Sequence, residues 1–154
     1  MSYYTNKAKL AYELHSKGLP FRKTYAVVEK DGKFLVLTAT KGKHKYMLAG
    51  GTIDNGEDVN TAVIREVMEE LNVNVEVVKH LGTIKYQSNW NYEGNSFVME
   101  NVAEIMYTKF VGFSNNDKLG LDGEFDSDTQ VALVSKEEML NNVAEFVTFG
   151  VKLD

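Results

Sequence analysis

Residues 51–73 read GTIDNGEDVNTAVIREVMEELNV, and this stretch decides the fold. Its second half has the apolar spacing of an amphipathic helix, which we predict over residues 58–71. At about 100° per residue, Glu66, Glu69 and Glu70 fall on one side of that helix. An adjacent apolar stripe should face a core, and its members are Val63, Val67 and Leu71. The stretch therefore predicts a helix with an acidic side and a buried side.

The acidic side of this helix is unfavourable for a helix on its own. Glu66 lies three residues from Glu69 and four from Glu70, and each like-charged pair costs roughly 0.2–0.5 kcal/mol. A solvent-exposed acidic face normally has interleaved lysines, yet residues 54–74 contain none. Clustered oxygen ligands without nitrogen or sulfur partners suit a hard divalent cation, Mg²⁺ or Mn²⁺. We therefore predict a divalent metal site on this side of the helix.

The residues before the helix indicate how it begins. Asp54 or Asn55 can cap it, with Glu57 or Asp58 three residues further on as the reciprocal partner. Unusual backbone angles are open to the nearby glycines, Gly50, Gly51 and Gly56. A loop with these properties can bring its carbonyl and amide groups close to a metal ion or a phosphate.

The spacing of residues 51–73 resembles the Nudix box, which consists of a glycine, five residues, Glu, seven residues and then Arg-Glu-aliphatic-x-Glu-Glu-x-Gly-aliphatic. The matching positions are Gly51, Glu57, Arg65, Glu66, Val67, Glu69, Glu70 and Val73. Asn72 departs from the pattern, because it stands where the family has glycine. Asparagine is the next-best residue for the left-handed conformation expected at that position. Upstream, Ala49 replaces the proline of the family's frequent Pro-Gly-Gly.

This resemblance implies a single Nudix domain over residues 1–154, in the α/β class, with an α/β/α sandwich built on a mixed β-sheet. It also implies metal-dependent hydrolysis of a nucleoside diphosphate linked to another moiety, such as a nucleoside triphosphate. The metal ligands that it implies are Glu66, Glu69, Glu70 and the Gly50 carbonyl. Among them, Glu66 is the candidate for deprotonating the attacking water. Glu57 and Arg65 resemble the family's supporting ion pair.

One further acid is suggested by the resemblance. Members of the family often add a metal-binding or basic acid from a loop just before the last strand. Glu124 is placed for this role, with Asp126 as the fallback. A solvated acidic loop accounts for the same residues equally well, so both interpretations stay open.

Two groups of residues outside the box are candidates for binding the substrate. Lys43 and Lys45 precede the strand that leads into the glycine pair, where they could attract phosphates. Trp90 and Tyr92 fall in a predicted polar loop over residues 87–96, where aromatic rings could stack on a base. A charged hairpin loop and ordinary packing explain these residues too, and the sequence does not decide between the interpretations.

The rest of the pattern places strands on both sides of the central helix. We predict strands over residues 24–29, 33–38, 46–49, 75–86, 97–113 and 130–134, and flanking helices over residues 7–17 and 136–145. Asp31 and Gly32 form a strong hairpin signal between the first two strands. This order favours a mixed sheet with helices on its faces.

Composition narrows the function further. The 154 residues suffice for one domain, and the net charge of −5 argues against a nucleic-acid polymer as partner. The chain has no cysteine, which excludes disulfides, thiol catalysis and thiolate zinc sites. No apolar run has the length of a membrane span, and the first residues do not resemble a signal peptide. We expect a cytoplasmic protein that binds a small nucleotide; a homodimer stays open.

An alternative to catalysis is a Nudix-like domain that binds a nucleotide or a protein partner as a regulator. Such domains often lose the carboxylates of the box, whereas this chain retains Glu66, Glu69 and Glu70. Nucleotide binding without turnover in Mg²⁺ or Mn²⁺ would favour this alternative.

Overall fold

The computed structural model describes residues 3–39, 42–115, 119 and 129–154. Its elements follow the predicted alternation, with a strand-rich first half, a central helix and a long second hairpin. In chain order they are α1 (Tyr3–Ser16), β1 (Phe21–Lys30), β2 (Lys33–Thr38), β3 (Tyr46–Met47), β4 (Ala49–Thr52), α2 (Val59–Leu71), β5 (Val73–Tyr92), β6 (Asn95–Phe113), β7 (Val131–Val134), α3 (Lys136–Asn142) and α4 (Ala144–Val147).

The seven strands found in the described residues form one mixed sheet. Its main path has the order β3-β2-β1-β6-β5, while β4 also pairs with β1 and β7 with β2. Only the β1–β6 pair among these is parallel, and the other pairs are antiparallel. The β1–β2 hairpin turns at Asp31 and Gly32, whose φ angles are 53° and 78°, as the sequence predicts.

Helices cover both faces of this sheet. On one face α2 packs the side chains of Val63, Val67 and Leu71, all fully buried, against the strands. On the other face α3 and α4 bury Met139 and Phe146. Neighbouring residues of β1 alternate between the two layers, as the pleat of a strand requires. The architecture is therefore the predicted α/β/α sandwich. No helix in the described part of the chain is both long and apolar enough to cross a membrane.

The prediction of a polar loop over residues 87–96 is wrong, because these residues form the paired ends of β5 and β6 and the turn between them. The register extends to Tyr92 opposite Asn95, and Glu93 and Gly94 form the two-residue turn with φ angles of 50° and 80°. Polar residues fit here because only alternate side chains of a strand need to face the protein. The aromatic residues proposed for a loop therefore lie on a strand.

Helix α1, predicted over residues 7–17, packs against the end of this hairpin. Ala11 is fully buried in a cluster with Phe21 of β1 and Met99 of β6. The ring of Tyr12 lies 5.5 Å from that of Tyr92. These contacts hold α1 across the edge of the sheet, close to the strand that carries the glycine pair.

Two other predictions need correction. Gly50 and Gly51 belong to β4 rather than to a loop, and of the three glycines only Gly56 has a positive φ, at 82°. The predicted closing helix over residues 136–145 is interrupted at Val143, whose backbone is extended at φ −118° and ψ 128°. Burial of the Val143 side chain accompanies the break, and α4 starts at the next residue.

Candidate active site

Helix α2 begins later than predicted, because Asp58 is its cap. The backbone of Asp58 is extended, and its Oδ1 accepts a hydrogen bond of 2.7 Å from the Thr61 N–H. The predicted cap at Asp54 or Asn55 is wrong, because the chain makes a separate turn there, with Glu57 N–H donating to the Asp54 carbonyl. The acidic helix and the turn before it are thus two separate units.

The other end of α2 has the conformation predicted for Asn72. Its φ of 60° and ψ of 33° are left-handed, and its N–H donates to the Met68 carbonyl at 3.0 Å. Its side chain also hydrogen-bonds the backbone of Asn115, with Oδ1 accepting from the N–H at 2.9 Å. Asparagine therefore adds a tie to the end of β6 that a glycine could not make.

Two of the three acidic residues of α2 are buried beside β4. Glu66 is 7% and Glu70 2% exposed, whereas the Glu69 side chain is 40% exposed. The Gly50 N–H donates a hydrogen bond of 2.6 Å to Glu70 Oε1. The Glu66 carboxylate lies so close to Gly51 that a Cβ there would come within 2.7 Å of Glu66 Cδ. The glycine pair therefore permits close approach of the acids to the strand.

Arg65 connects the acidic helix to the preceding turn and to β4. Its Nε and Nη2 donate to Glu57 at 2.8 and 3.0 Å, which makes the ion pair with Glu57 bidentate. Nη2 also donates to the Thr52 carbonyl at 3.0 Å. Nη1 lies 3.1 Å from Glu66 Oε1 and 3.3 Å from Glu69 Oε2. One guanidinium thus joins three segments and offsets part of their negative charge.

The surroundings shift the pKa values of two of these acids in opposite directions. The hydrogen bond from Arg65 lowers the pKa of Glu57. Desolvation by burial raises the pKa of Glu66 to about 7, although the charge of Arg65 acts against it. A raised carboxyl pKa next to other acids is characteristic of functional sites, although structural ion-pair networks also shift pKa values.

The donor set on this side of α2 consists of carboxylate oxygens, which is the chemistry that a hard divalent cation prefers. Among the residues that the structure describes, no three acidic, histidine or cysteine side chains are arranged to hold a metal ion. Glu66 and Glu69 instead share contacts with Arg65 Nη1. The ligand types fit a divalent cation, and a guanidinium supplies the positive charge at Glu66 and Glu69.

Glu70, Gly50 and Gly51 line a cleft of about 470 Å³. Its aromatic walls are formed by Phe21, Tyr25, Tyr46 and Trp90. Lys7, Lys23 and Lys43 also line it, so cationic and aromatic groups face the same space as the buried acid. A cleft of this size and lining suits a small molecule with an anionic part and a ring.

Only some of the residues predicted to bind the substrate line this cleft. Lys43 and Trp90 line it, with the Trp90 ring 6.0 Å from that of Phe21. Lys45 and Tyr92 are not among its lining residues: Lys45 Nζ lies 5.2 Å from the centre of the Tyr46 ring, and Tyr92 packs against α1. Glu124 and its fallback Asp126 lie outside the described residues.

Sequence reasoning missed several residues of the cleft. Lys7 comes from α1 and Lys23 from β1, and no local motif connects them to the acidic helix. Glu145 lines the cleft from α4, and burial raises its pKa. Alternation along β1 could have placed Lys23 and Tyr25 on one face, but only the fold shows that this face adjoins Glu70.

Replacing Gly51 with alanine should reduce any activity of this site and leave stability almost unchanged. The added Cβ meets the end of the flexible Glu66 side chain rather than backbone. We expect the carboxylate to be displaced and kcat to fall about 10- to 100-fold, since small misplacements of this kind have such effects. Gly112→Ala in β6 is the control, because nothing lies within 4 Å of its added Cβ. Equal kcat values for the two variants would contradict the placement of Glu66.

The fold and the site together define a class of protein. It is an α/β/α sandwich in which the acidic helix α2, held by Arg65, packs beside β4 with its two glycines. The family model described as the NUDIX domain matches residues 20–147, and the chain belongs to this family. The family is one of hydrolases that act on phosphoric anhydride bonds of small nucleotide-derived substrates, generally with a divalent metal ion.

Individual relatives are similar over different lengths. An RNA pyrophosphohydrolase of Dinoroseobacter shibae is 39% identical over 66 residues, which are 41% of this chain and 41% of that protein. The chain therefore matches about two fifths of the length of that relative. An Ap4A hydrolase structure from C. elegans has a TM-score of 0.57 at 22% identity, covering 84% of this chain and 90% of that one. A NUDIX hydrolase structure from Nitrosomonas europaea has a TM-score of 0.53 at 22% identity, covering 80% and 77%.

Proposed function

We propose that this chain, as one domain over residues 1–154, is a Mg²⁺-dependent hydrolase of a nucleoside diphosphate linked to another moiety. The observation that carries the proposal is the burial of Glu66 and Glu70 against Gly50 and Gly51, where Glu70 borders a cleft lined by lysines and aromatic rings. Burying carboxylates is unfavourable unless they are paired or coordinate a metal ion. Arg65 and the Gly50 N–H offset part of this cost, and a divalent cation bound beside the cleft would offset more of it and neutralise a bound phosphate.

The metal ligands in this proposal are Glu66, Glu69, Glu70 and the Gly50 carbonyl, with Glu124 as a further candidate. Bound Mg²⁺ would neutralise the phosphates and lower the pKa of a water molecule, and Mn²⁺ could replace it. Glu66 accepts a proton from the attacking water. The new bond joins the water oxygen to phosphorus, and the bridging P–O bond breaks, releasing the second phosphate group with its substituent. Glu57 holds Arg65, which positions Glu66 and Glu69 through Nη1.

Recognition of the substrate is assigned to the cleft. Lys43 contributes positive charge for a phosphate, and Trp90 offers a ring face for a base. Lys45 and Tyr92 stay outside this assignment because they do not line the cleft. The proposal includes a cytoplasmic location. A homodimer is a separate question, which light scattering would answer.

A substrate panel tests this proposal directly. The panel contains a nucleoside triphosphate, a sugar nucleotide, a dinucleoside polyphosphate, a dinucleotide cofactor and, prompted by the relative's name, a short RNA with a 5′-triphosphate. Released phosphate is measured colorimetrically after enzymatic conversion of the products. We expect cleavage of at least one small nucleotide with Mg²⁺, its loss on chelation with EDTA, and its return when Mg²⁺ is added in excess. Nucleotide binding by calorimetry without any cleavage in Mg²⁺ or Mn²⁺ would instead support a regulator.

A further inference from the structure

We propose that Lys7 and Lys23 form a phosphate-binding subsite that favours substrates with three or more linked phosphates. The inference rests on the proposed function, because it assigns a part of the same cleft. The two lysines meet at β4: Lys7 Nζ donates to Thr52 Oγ1, and Lys23 of β1 is the residue opposite Thr52 in the sheet. Both also line the cleft that contains Glu70.

The two ammonium groups share one aromatic ring. Lys23 Nζ lies 4.9 Å and Lys7 Nζ 5.8 Å from the centre of the Phe21 ring. Burial lowers the pKa of the Lys23 ammonium group, and the nearby charge of Lys7 lowers it further. The two ammonium groups are therefore close enough to repel each other. Bringing two like charges together in a partly desolvated cleft is unfavourable, and a bound anion with several negative charges would offset that cost.

Lys7 also links this subsite to the acidic helix. Thr52, whose hydroxyl accepts from Lys7, also accepts a hydrogen bond of 3.0 Å from Arg65 Nη2 through its carbonyl oxygen, and Arg65 Nη1 lies 3.1 Å from Glu66 Oε1. The lysine pair and the proposed metal ligands therefore face neighbouring parts of one chain of phosphates. Two phosphates flank the bond that is cleaved beside Glu66 and Glu70. The ammonium groups of Lys7 and Lys23 would therefore bind a further phosphate of the same substrate.

The helix that carries Lys7 lies outside the residues that the family model matches. That match begins at residue 20, whereas α1 covers Tyr3–Ser16. Burial of Ala11 in the cluster with Phe21 fixes the helix next to the cleft. The subsite therefore depends on a helix outside the residues that the family model matches.

The experiment compares Lys7→Gln with Lys9→Gln, which removes the same charge from an exposed position of the same helix. Steady-state kinetics are measured with a nucleoside triphosphate and with a sugar nucleotide that has two phosphates. We expect Lys7→Gln to raise KM for the triphosphate about 10-fold and to raise KM for the sugar nucleotide by a much smaller factor. Lys7→Arg should restore most of the loss. Equal effects of Lys7→Gln on both substrates, or equal KM values for Lys7→Gln and Lys9→Gln, would overturn the subsite.

A binding measurement separates failure of the subsite from failure of the proposed function. Calorimetry with a non-hydrolysable nucleoside triphosphate analogue in Mg²⁺ reports binding even if no substrate is cleaved. About 10-fold weaker binding by Lys7→Gln, with Lys9→Gln unchanged, would support the subsite even for a protein without activity. Unchanged binding by Lys7→Gln in a protein that hydrolyses nucleotides would reject the subsite and leave the function standing. Matching circular dichroism spectra confirm that both variants fold.

Discussion

Replacing Glu66 with glutamine is expected to lower kcat for the preferred nucleotide by about 10²- to 10⁴-fold. Glutamine keeps the size of the side chain but can neither accept the proton of the attacking water nor supply a charged metal ligand. Saturating substrate and excess Mg²⁺ separate this loss from weaker binding. Glu137→Gln is the control, because it removes an exposed acid from the first turn of α3. Equal kcat values for Glu66→Gln and the unmodified protein would contradict the role of Glu66.

The same variant should be more stable than the unmodified protein when metal is absent. The pKa of Glu66 is about 7 in the folded state against an ordinary value of 4.5, so the fold favours the protonated carboxyl. That stabilisation is fully present below about pH 4.5 and is lost as the pH rises through about 7. The glutamine side chain of the variant has no charge to gain, so its advantage should grow over this range to about 1–3 kcal/mol. Urea unfolding at pH 4.5 and 8 in EDTA checks this, and a constant difference would contradict it.

Local patterns of the sequence predicted most of the fold. The acidic helix, the hairpin at Asp31 and Gly32 and the left-handed Asn72 each depend on residues close together in the chain, whose preferences act locally. The predicted loop over residues 87–96 failed for the opposite reason. Its polar composition resembles a loop, but pairing with β6 and packing under α1 make it a strand.

The acidic and arginine part of the candidate site was predictable from the helical repeat and from the resemblance. Glu66, Glu69 and Glu70 share a side of α2 because of their spacing, and the bidentate pair of Arg65 with Glu57 followed from the resemblance. Lys7 could not be placed, because 45 residues separate it from its partner Thr52. The role of the glycine pair was also misjudged, since the sequence indicates backbone freedom and only the packed structure shows close approach.

Among the glycines that the structure describes, this close approach makes Gly50 the one at which an added methyl group should damage the fold most. Gly50 lies opposite Tyr25 in the β1–β4 pair. A Cβ at Gly50 would lie in clashing distance of the Thr24 carbonyl oxygen and 2.7 Å from Tyr25 Cα. Both of these atoms belong to the backbone of a buried strand, so neither can move aside as a flexible side chain would. The hydrogen bond from Gly50 N–H to Glu70 would shift with the strand.

We therefore expect Gly50→Ala to lower the free energy of unfolding by about 3 kcal/mol or more, at the upper end for overpacking. This corresponds to a fall in Tm of roughly 6–12 °C for a chain of this length. Urea unfolding followed by circular dichroism measures the loss. Gly112→Ala is the matched control in another strand, and its stability should stay within about 0.5 kcal/mol of the unmodified protein because its added Cβ meets open space. Gly51→Ala provides the contrast in the next residue, since its Cβ displaces a side chain and not a strand. If Gly50→Ala were as stable as Gly51→Ala, β4 could not approach β1 as closely as the structure shows.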